Sequence, residues 1–421
     1  MSDDDKVIAA VDSLRDEIVD LTARLIRIPT VNPPGEHYPD VARLLGETLR
    51  GFGYAVEEIT PDARAAHPRV NVVGRLDGAS ARPVLHFNGH VDVVPAGDGW
   101  DRDPFSGAVA DGKVWGRGSS DQKAGIAASI FAIEAIRRAG VRLQGSVEQS
   151  GTVDEESGGF AGVALLCDQG RIGPGRTDFV VITEPLGVDR VCLGHRGVYW
   201  FEVTARGRTA HGSMPTLGLN AANAITRFVG RVQRDLAPRL SARRTAVPVE
   251  PASARSPSIN LNSLHAGQAA DDEQTPAVPD RAVAVFDRRF ILEEPLDEVR
   301  AEIVALLDAQ RAEDREIRWD LRERMVVEPV ATPREARVVG ALAEAIERVR
   351  GRPAEYILSP GTYDQKHVVS RGRVAECVAY GPGVLETSHQ PNEYVDIADL
   401  VDATKVMALA TLRLVGISGG R

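Results

Sequence analysis

Acidic and imidazole side chains fall into five short clusters along the sequence, most of them at the end of an apolar run. The first is Gly89-His90-Val91-Asp92-Val93-Val94-Pro95. His90 and Asp92 are two apart, so on extended backbone both face the same way. That suits an imidazole metal ligand whose other ring nitrogen is held by a carboxylate. It equally suits a surface His-Asp pair. The second, Gly116-Arg117-Gly118-Ser119-Ser120-Asp121-Gln122-Lys123, is a glycine-permitted turn before a helix. Asp121 there reads as a ligand or as an N-cap. The turn lacks the Gly-Lys-Ser/Thr of a phosphate loop, which argues against nucleotide binding. The third, Asp154-Glu155-Glu156-Ser157-Gly158-Gly159, sets three carboxylates side by side. A nearby cation would offset their repulsion; a solvated acidic loop is the alternative. Glu155 and Glu156 point in different directions, so one can bind metal while the other reaches a bound water. The fourth is Ile182-Thr183-Glu184-Pro185, where Glu184 ends an apolar strand. The fifth is Gly381-Pro382-Gly383 followed by Ser388-His389-Gln390-Pro391-Asn392-Glu393-Tyr394.

These clusters need elements that bring them to one edge. Val7, Val11, Leu14, Ile18, Leu21 and Leu25 form one helical stripe ending before Pro29, and Val41, Leu44, Leu45 and Leu49 mark a second helix. Strands are expected at Val70–Val73, Val84–Phe87, Ser146–Val153 and Phe179–Thr183. Helices are expected from Ala124 to Ala139 and over Phe160–Cys167. Alternating strands and helices imply an α/β layer structure whose ligand edge is the carboxyl end of its strands. After about Leu193 the pattern changes. Tyr199–Val203, a helix from Asn220 to Val232, Ser258–Leu264, Ala282–Phe290, a helix from Leu296 to Leu307 and Ile317–Arg322 give a β-α-β-β-α-β order. Loops are expected near 242–257 and 266–280. Thr332-Pro333 then reads as an N-cap and N1 proline for a helix to Gly351, with a strand at Val374–Ala379 and a last helix after Asp396. The expected organisation is discontinuous: residues 1–194 and 327–421 form a main domain, with 195–326 inserted.

The chain has 421 residues and a net charge of −10, with 43% hydrophobic and 26% charged residues. That is a soluble globular balance with room for two domains. No Lys/Arg-rich run marks a nucleic-acid face. No apolar run reaches the length of a membrane helix, and the acidic start lacks a leader pattern. Cys167, Cys192 and Cys377 are widely spaced and suit buried positions in a reducing compartment. A cytoplasmic enzyme is expected, with no nucleic-acid or membrane partner.

Together the five ordered motifs, with the opening Leu25-Ile26-Arg27-Ile28-Pro29-Thr30-Val31-Asn32-Pro33-Pro34-Gly35-Glu36, resemble metallopeptidase family M20, the group of acetylornithine deacetylase, succinyl-diaminopimelate desuccinylase and glutamate carboxypeptidase. The resemblance covers nearly the whole chain. It implies a two-domain α/β metallohydrolase with a mixed-sheet catalytic domain and an inserted α+β sandwich serving as lid and dimerisation domain. It implies two divalent metal ions, zinc with cobalt or manganese as substitutes. His90 and Glu184 would bind one ion, Glu156 and His389 the other, and Asp121 both. Asp92 would orient His90, and Glu155 would be the general base. Gly207-Arg208-Thr209-Ala210-His211-Gly212-Ser213-Met214-Pro215 resembles the lid motif, so His211 would donate to the oxyanion, in its own subunit or the partner's. In Asp287-Arg288-Arg289, Arg289 is the better aligned candidate for the substrate carboxylate, with Arg288 the alternative. Gly361 and Lys366 would also contact substrate.

The departures lie among substrate contacts. Pro276 stands where related desuccinylases commonly have asparagine. Lys366 replaces an arginine and offers no planar fork. Gln122 and Ala124 replace the common Met and Gly. The implied reaction is amide hydrolysis of a small carboxylate-bearing substrate, foremost deacylation of an N-acyl amino acid, by a homodimer. Alternatives are a dipeptidase or carboxypeptidase, or an aminohydrolase acting on an unusual carboxylate. A non-catalytic binding protein would show a lost base or ligand, and every such position is intact.

Overall fold

Val7, Val11, Leu14, Ile18, Leu21 and Leu25 are all buried, but in the computed structural model the helix they mark is two helices, Asp3–Ser13 and Arg15–Ile26. Leu14 joins them at φ −94° and ψ 0°. The Ser13 hydroxyl donates to the Ala10 carbonyl at 2.7 Å, a local bond that competes with the helical ladder. The structure describes residues 1–267 and 276–419, so the loop expected near 266–280 lies partly outside the described residues. The chain divides into two compact units. The first comprises 1–194, 332–357 and 363–421, and the second 195–331 and 358–362.

The first unit is built on a mixed sheet. Its strands run, side by side, Ala55–Ile59, Asn71–Leu76, Ser146–Thr152, Val84–His90, Phe179–Ile182 and Cys377–Ala379. Val84–His90 is parallel to Ser146–Thr152 on one side and to Phe179–Ile182 on the other, and Phe179–Ile182 is parallel to Cys377–Ala379. These central strands are buried along their length: Phe179–Ile182 and Cys377–Ala379 are apolar runs, while the buried polar side chains of Ser146–Thr152 and Val84–His90 pair with partners, Glu148 with His86, Gln149 with Ser129 and Ser150 with Asn88. The helices Ala124–Arg138 and Ile397–Val415 pack on one another and on this sheet. Four parallel strands therefore deliver their carboxyl ends, and the loops that follow, to one edge.

Two expectations for this unit need correction. Thr332 is not an N-cap: its hydroxyl donates to the Cys377 carbonyl, and the helix begins later, at Arg337–Arg350 with Ala336 as its cap residue. The helix expected over Phe160–Cys167 runs Val163–Asp168, because Gly162, its cap residue, sits at φ −99° and ψ −114°, outside helical geometry. Cys167, Cys192 and Cys377 are buried, and among the described residues none forms a disulfide.

The second unit is an antiparallel sheet in the order Ser258–Ala266, Arg281–Phe290, Gly197–Arg206, Arg318–Val327, with helices Ala221–Arg231 and Leu296–Glu313. Its core stacks Phe201 on Phe286 (ring centroids 5.1 Å apart) and sets Phe228 edge-on to Phe286. Arg281–Phe290 alternates strictly, burying Ala282, Ala284, Phe286, Arg288 and Phe290. His265 lies on the edge strand Ser258–Ala266.

Candidate active site

The edge formed by the four parallel strands holds every cluster that the sequence singled out in the first unit. His90 closes the Val84–His90 strand, Glu155 and Glu156 follow Ser146–Thr152, Glu184 follows Phe179–Ile182, and His389 lies beyond Cys377–Ala379. Asp121 comes from the turn before the Ala124–Arg138 helix. Ligand atoms of His90, Asp121 and Glu184 lie within 4.8 Å of one another, and so do those of Asp121, Glu156 and His389. Asp121 belongs to both groups. Its Oδ1 is 3.1 Å from His90 Nε2, and its Oδ2 is 3.5 Å from His389 Nε2. His389 Nε2 also lies 3.1 Å from Glu156 Oε1.

The electrostatics of this cluster call for positive charge. Burial and the Asp121 charge push the Glu184 carboxyl well above its usual range. Burial also raises Glu156, with Asp121 adding to it and the His389 hydrogen bond opposing. Burial works against ionised Asp121, but the two imidazoles hold it below the ordinary carboxylate range. Hydrogen bonds to Asp121 and Glu156 push His389 up to about 10. Burial opposes protonation of His90, yet Asp121 raises it well above the usual value. Three carboxylates and two imidazoles converging in low dielectric form a donor set that fits a pair of divalent cations.

Neighbouring groups fix these side chains. His90 Nδ1 donates to the main-chain carbonyl of Asp92 at 3.0 Å, which leaves Nε2 free as a ligand atom. The Asp92 carboxylate is 3.6 Å from that ring nitrogen. It spends its hydrogen bonds elsewhere, accepting from the main-chain N–H groups of Glu155 and Glu156 at 3.2 and 3.1 Å and from Asn32 Nδ2 at 2.9 Å. Asp92 thus ties the His90 loop to the glutamate turn. Glu155 Oε1 accepts from Lys366 Nζ at 3.2 Å, and Lys366 is only 7% exposed.

Sequence reasoning missed four positions here. Glu393 is buried and accepts from the main-chain N–H groups of Gly118, Ser120 and Asp121 at 3.1, 2.9 and 3.0 Å, and from buried Arg117 at 2.6 Å. Lys123 Nζ donates to the carbonyls of Leu25 and Ile28 at 3.0 and 2.8 Å, and burial pushes it down to about 7. Asn32 and Gln122 complete the group. All four stand inside motifs already visible in the sequence, but only tertiary contacts give them tasks.

His211, Arg289 and Gly361 belong to the second unit. His211 is exposed, and its Nδ1 accepts from the Ser213 N–H at 3.2 Å, so the neutral ring carries its proton on Nε2. Arg289 forms a two-bond pair with Asp287 at 2.8 and 2.9 Å. Arg288 points to the opposite, core face and is held by Glu294 at 2.6 Å. That separates the two candidates: Arg289 keeps partial exposure and Arg288 has none.

Fold and donor set together define a metal-dependent hydrolase. The model of the family described as Peptidase family M20/M25/M40 matches residues 86–413, so the chain belongs to that family. A succinyl-diaminopimelate desuccinylase of Bordetella parapertussis is 31% identical over 392 residues, covering 91% of this chain and 94% of the relative. Among solved structures, human carnosine dipeptidase 1 superposes with a TM-score of 0.78 at 19% identity, over 99% of both chains. A dinuclear metal-binding peptidase of the M20 family from Bacillus subtilis gives 0.69 at 15% identity, over 96% of this chain and 99% of its own. Among the described residues no helix is long and apolar enough to cross a membrane.

Proposed function

We propose that this protein hydrolyses the amide bond of a small N-acyl amino acid, with an N-succinyl group as the first choice. The observation that carries the reading is Asp121, one carboxylate with an oxygen turned to each of two histidines, in a cluster completed by Glu156 and Glu184. His90, Asp121 and Glu184 would hold one divalent cation, and Asp121, Glu156 and His389 the other. When bound, such a pair lowers the pKa of water and polarises a carbonyl. Zinc suits the mixed imidazole and carboxylate donors.

The side chains divide the remaining work. Glu155 takes a proton from the attacking water onto its carboxylate and returns it to the leaving nitrogen. Lys366 keeps that carboxylate in place. Asp92 fixes both the His90 tautomer and the main chain of Glu155 and Glu156. His211, with its proton on Nε2, is equipped to donate to the oxyanion. Arg289, braced by Asp287, would meet the substrate carboxylate, and Gly361 would lie along the substrate. Named relatives at about 30% identity support the succinyl group. The half-exposed edge strand Ser258–Ala266 supports pairing with a second copy of the chain through the second unit. Three buried cysteines that form no disulfide among the described residues support residence in the cytoplasm.

The test is a panel of N-succinyl, N-acetyl and N-formyl amino acids and dipeptides offered to zinc-loaded protein. One acyl class should be turned over. Glu155→Gln should lower kcat by about a hundred- to ten-thousand-fold while both metals stay bound. Turnover of dipeptides alone would replace the deacylase reading. An undiminished Glu155→Gln variant would remove Glu155 as the base.

A further inference from the structure

The residue after Asp121 is a fully buried glutamine whose side-chain amide is committed at both ends. Gln122 Nε2 lies 2.6 Å from Glu184 Oε1, and Gln122 Oε1 accepts from the Thr183 hydroxyl at 2.6 Å. A metal-binding carboxylate can only accept hydrogen bonds, so the amide nitrogen must face Glu184 and the oxygen must face Thr183. The wall on the other side is Gly89, next to His90. A Cβ there would come within 2.7 Å of the Thr183 hydroxyl and 3.0 Å of Gln122 Oε1. Main chain, hydroxyl and carboxylate therefore leave the amide one orientation. Neither backbone capping nor core packing needs a polar group at this place: a thioether of similar length would fill the same volume and donate nothing.

We propose that Gln122 is a positioning residue that aims Glu184 at the metal pair and sets the affinity of the site that Glu184 completes. The proposal rests on the two-metal reading above. The amide occupies a lone pair of Oε1 and holds the buried carboxylate against rotation. It acts on one of the two cations only, because Glu156 and His389 make no bond to it. The donor chain Thr183–Gln122–Glu184 runs between the residue that follows the shared ligand and the residue that precedes Glu184. Orientation of one ligand is thereby linked to the turn that carries another.

The experiment is calorimetric titration of chelator-stripped protein with Co(II), read alongside the visible spectrum of the bound ion. Wild type should take up two Co(II) per chain. Gln122→Met should still take up two, with one site weakened by about tenfold or more, the other unchanged, and the spectrum of the weakened site altered. Thr183→Val reaches the same hydrogen bond without touching Gln122 and should move affinity and spectrum in the same direction, while Thr183→Ser, which keeps the hydroxyl, should not. Wild-type affinities and spectra in both Gln122→Met and Thr183→Val would overturn the proposal and leave the two-metal reading standing. Uptake of fewer than two ions by the wild type would overturn that reading itself.

Discussion

Glu393 spends its buried carboxylate on main-chain N–H groups of the Gly118–Asp121 turn and on Arg117. The buried Arg117 guanidinium also donates to the carbonyls of Gln390 and Ala96 and lies over the Trp100 ring. Removing the carboxylate strands a guanidinium in low dielectric and frees the main chain that carries Asp121. Glu393→Ala should therefore cost about 3–5 kcal/mol in urea unfolding. A loss below about 1 kcal/mol would show that the turn holds its shape without it. At this scale the clusters were legible in the sequence, but each alone also read as a surface pair, an N-cap or a solvated loop, and the proposed ligand set came from the family resemblance. Glu393 stood in plain view four residues after His389, but a carboxylate that binds main-chain N–H groups leaves no spacing signal. Lys366 shows the same limit. The family resemblance implied a substrate contact for it, and nothing in its spacing announced the bond its Nζ donates to Glu155.

At the scale of elements, the sheet explains both the site and a second buried charge cluster. Arg75, Glu148 and His86 stand opposite one another on three adjacent strands, and Arg176 closes on the same carboxylate. Burial alone would raise Glu148, but His86 and the arginines hold its carboxyl below the ordinary 4.5. The folded state then binds this proton less tightly than the unfolded one. The stability Glu148 contributes is present above about pH 4.5 and is lost as pH falls through the lower, folded value. Unfolding free energy measured against pH should fall less steeply on the acid side in Glu148→Gln than in wild type; parallel curves would contradict this account. Phe179–Ile182 was readable because a buried parallel strand there is an apolar run. The short strand Ala55–Ile59 was not, since its pattern is mostly exposed. The start of the Arg337–Arg350 helix was misplaced because Thr332 has a tertiary partner that outweighs its local capping tendency.

For the whole molecule, the sequence already implied a main domain interrupted by an α+β insert, because hydrophobic alternation and helix spacing both change after about Leu193. It could not reveal that 358–362 belongs with the second unit. That short stretch carries no periodicity, and it is held by Arg196, which donates to the Pro360 carbonyl at 3.1 and 3.0 Å. Such a return of the chain is a tertiary fact with no local signature. In the first unit, two cations are proposed to share Asp121. Anomalous diffraction at the zinc edge from zinc-loaded crystals tests it most directly. Two peaks per chain are expected, both against Asp121, one also against His90 and Glu184 and the other against Glu156 and His389. A single peak, or a second peak away from Asp121, would contradict it.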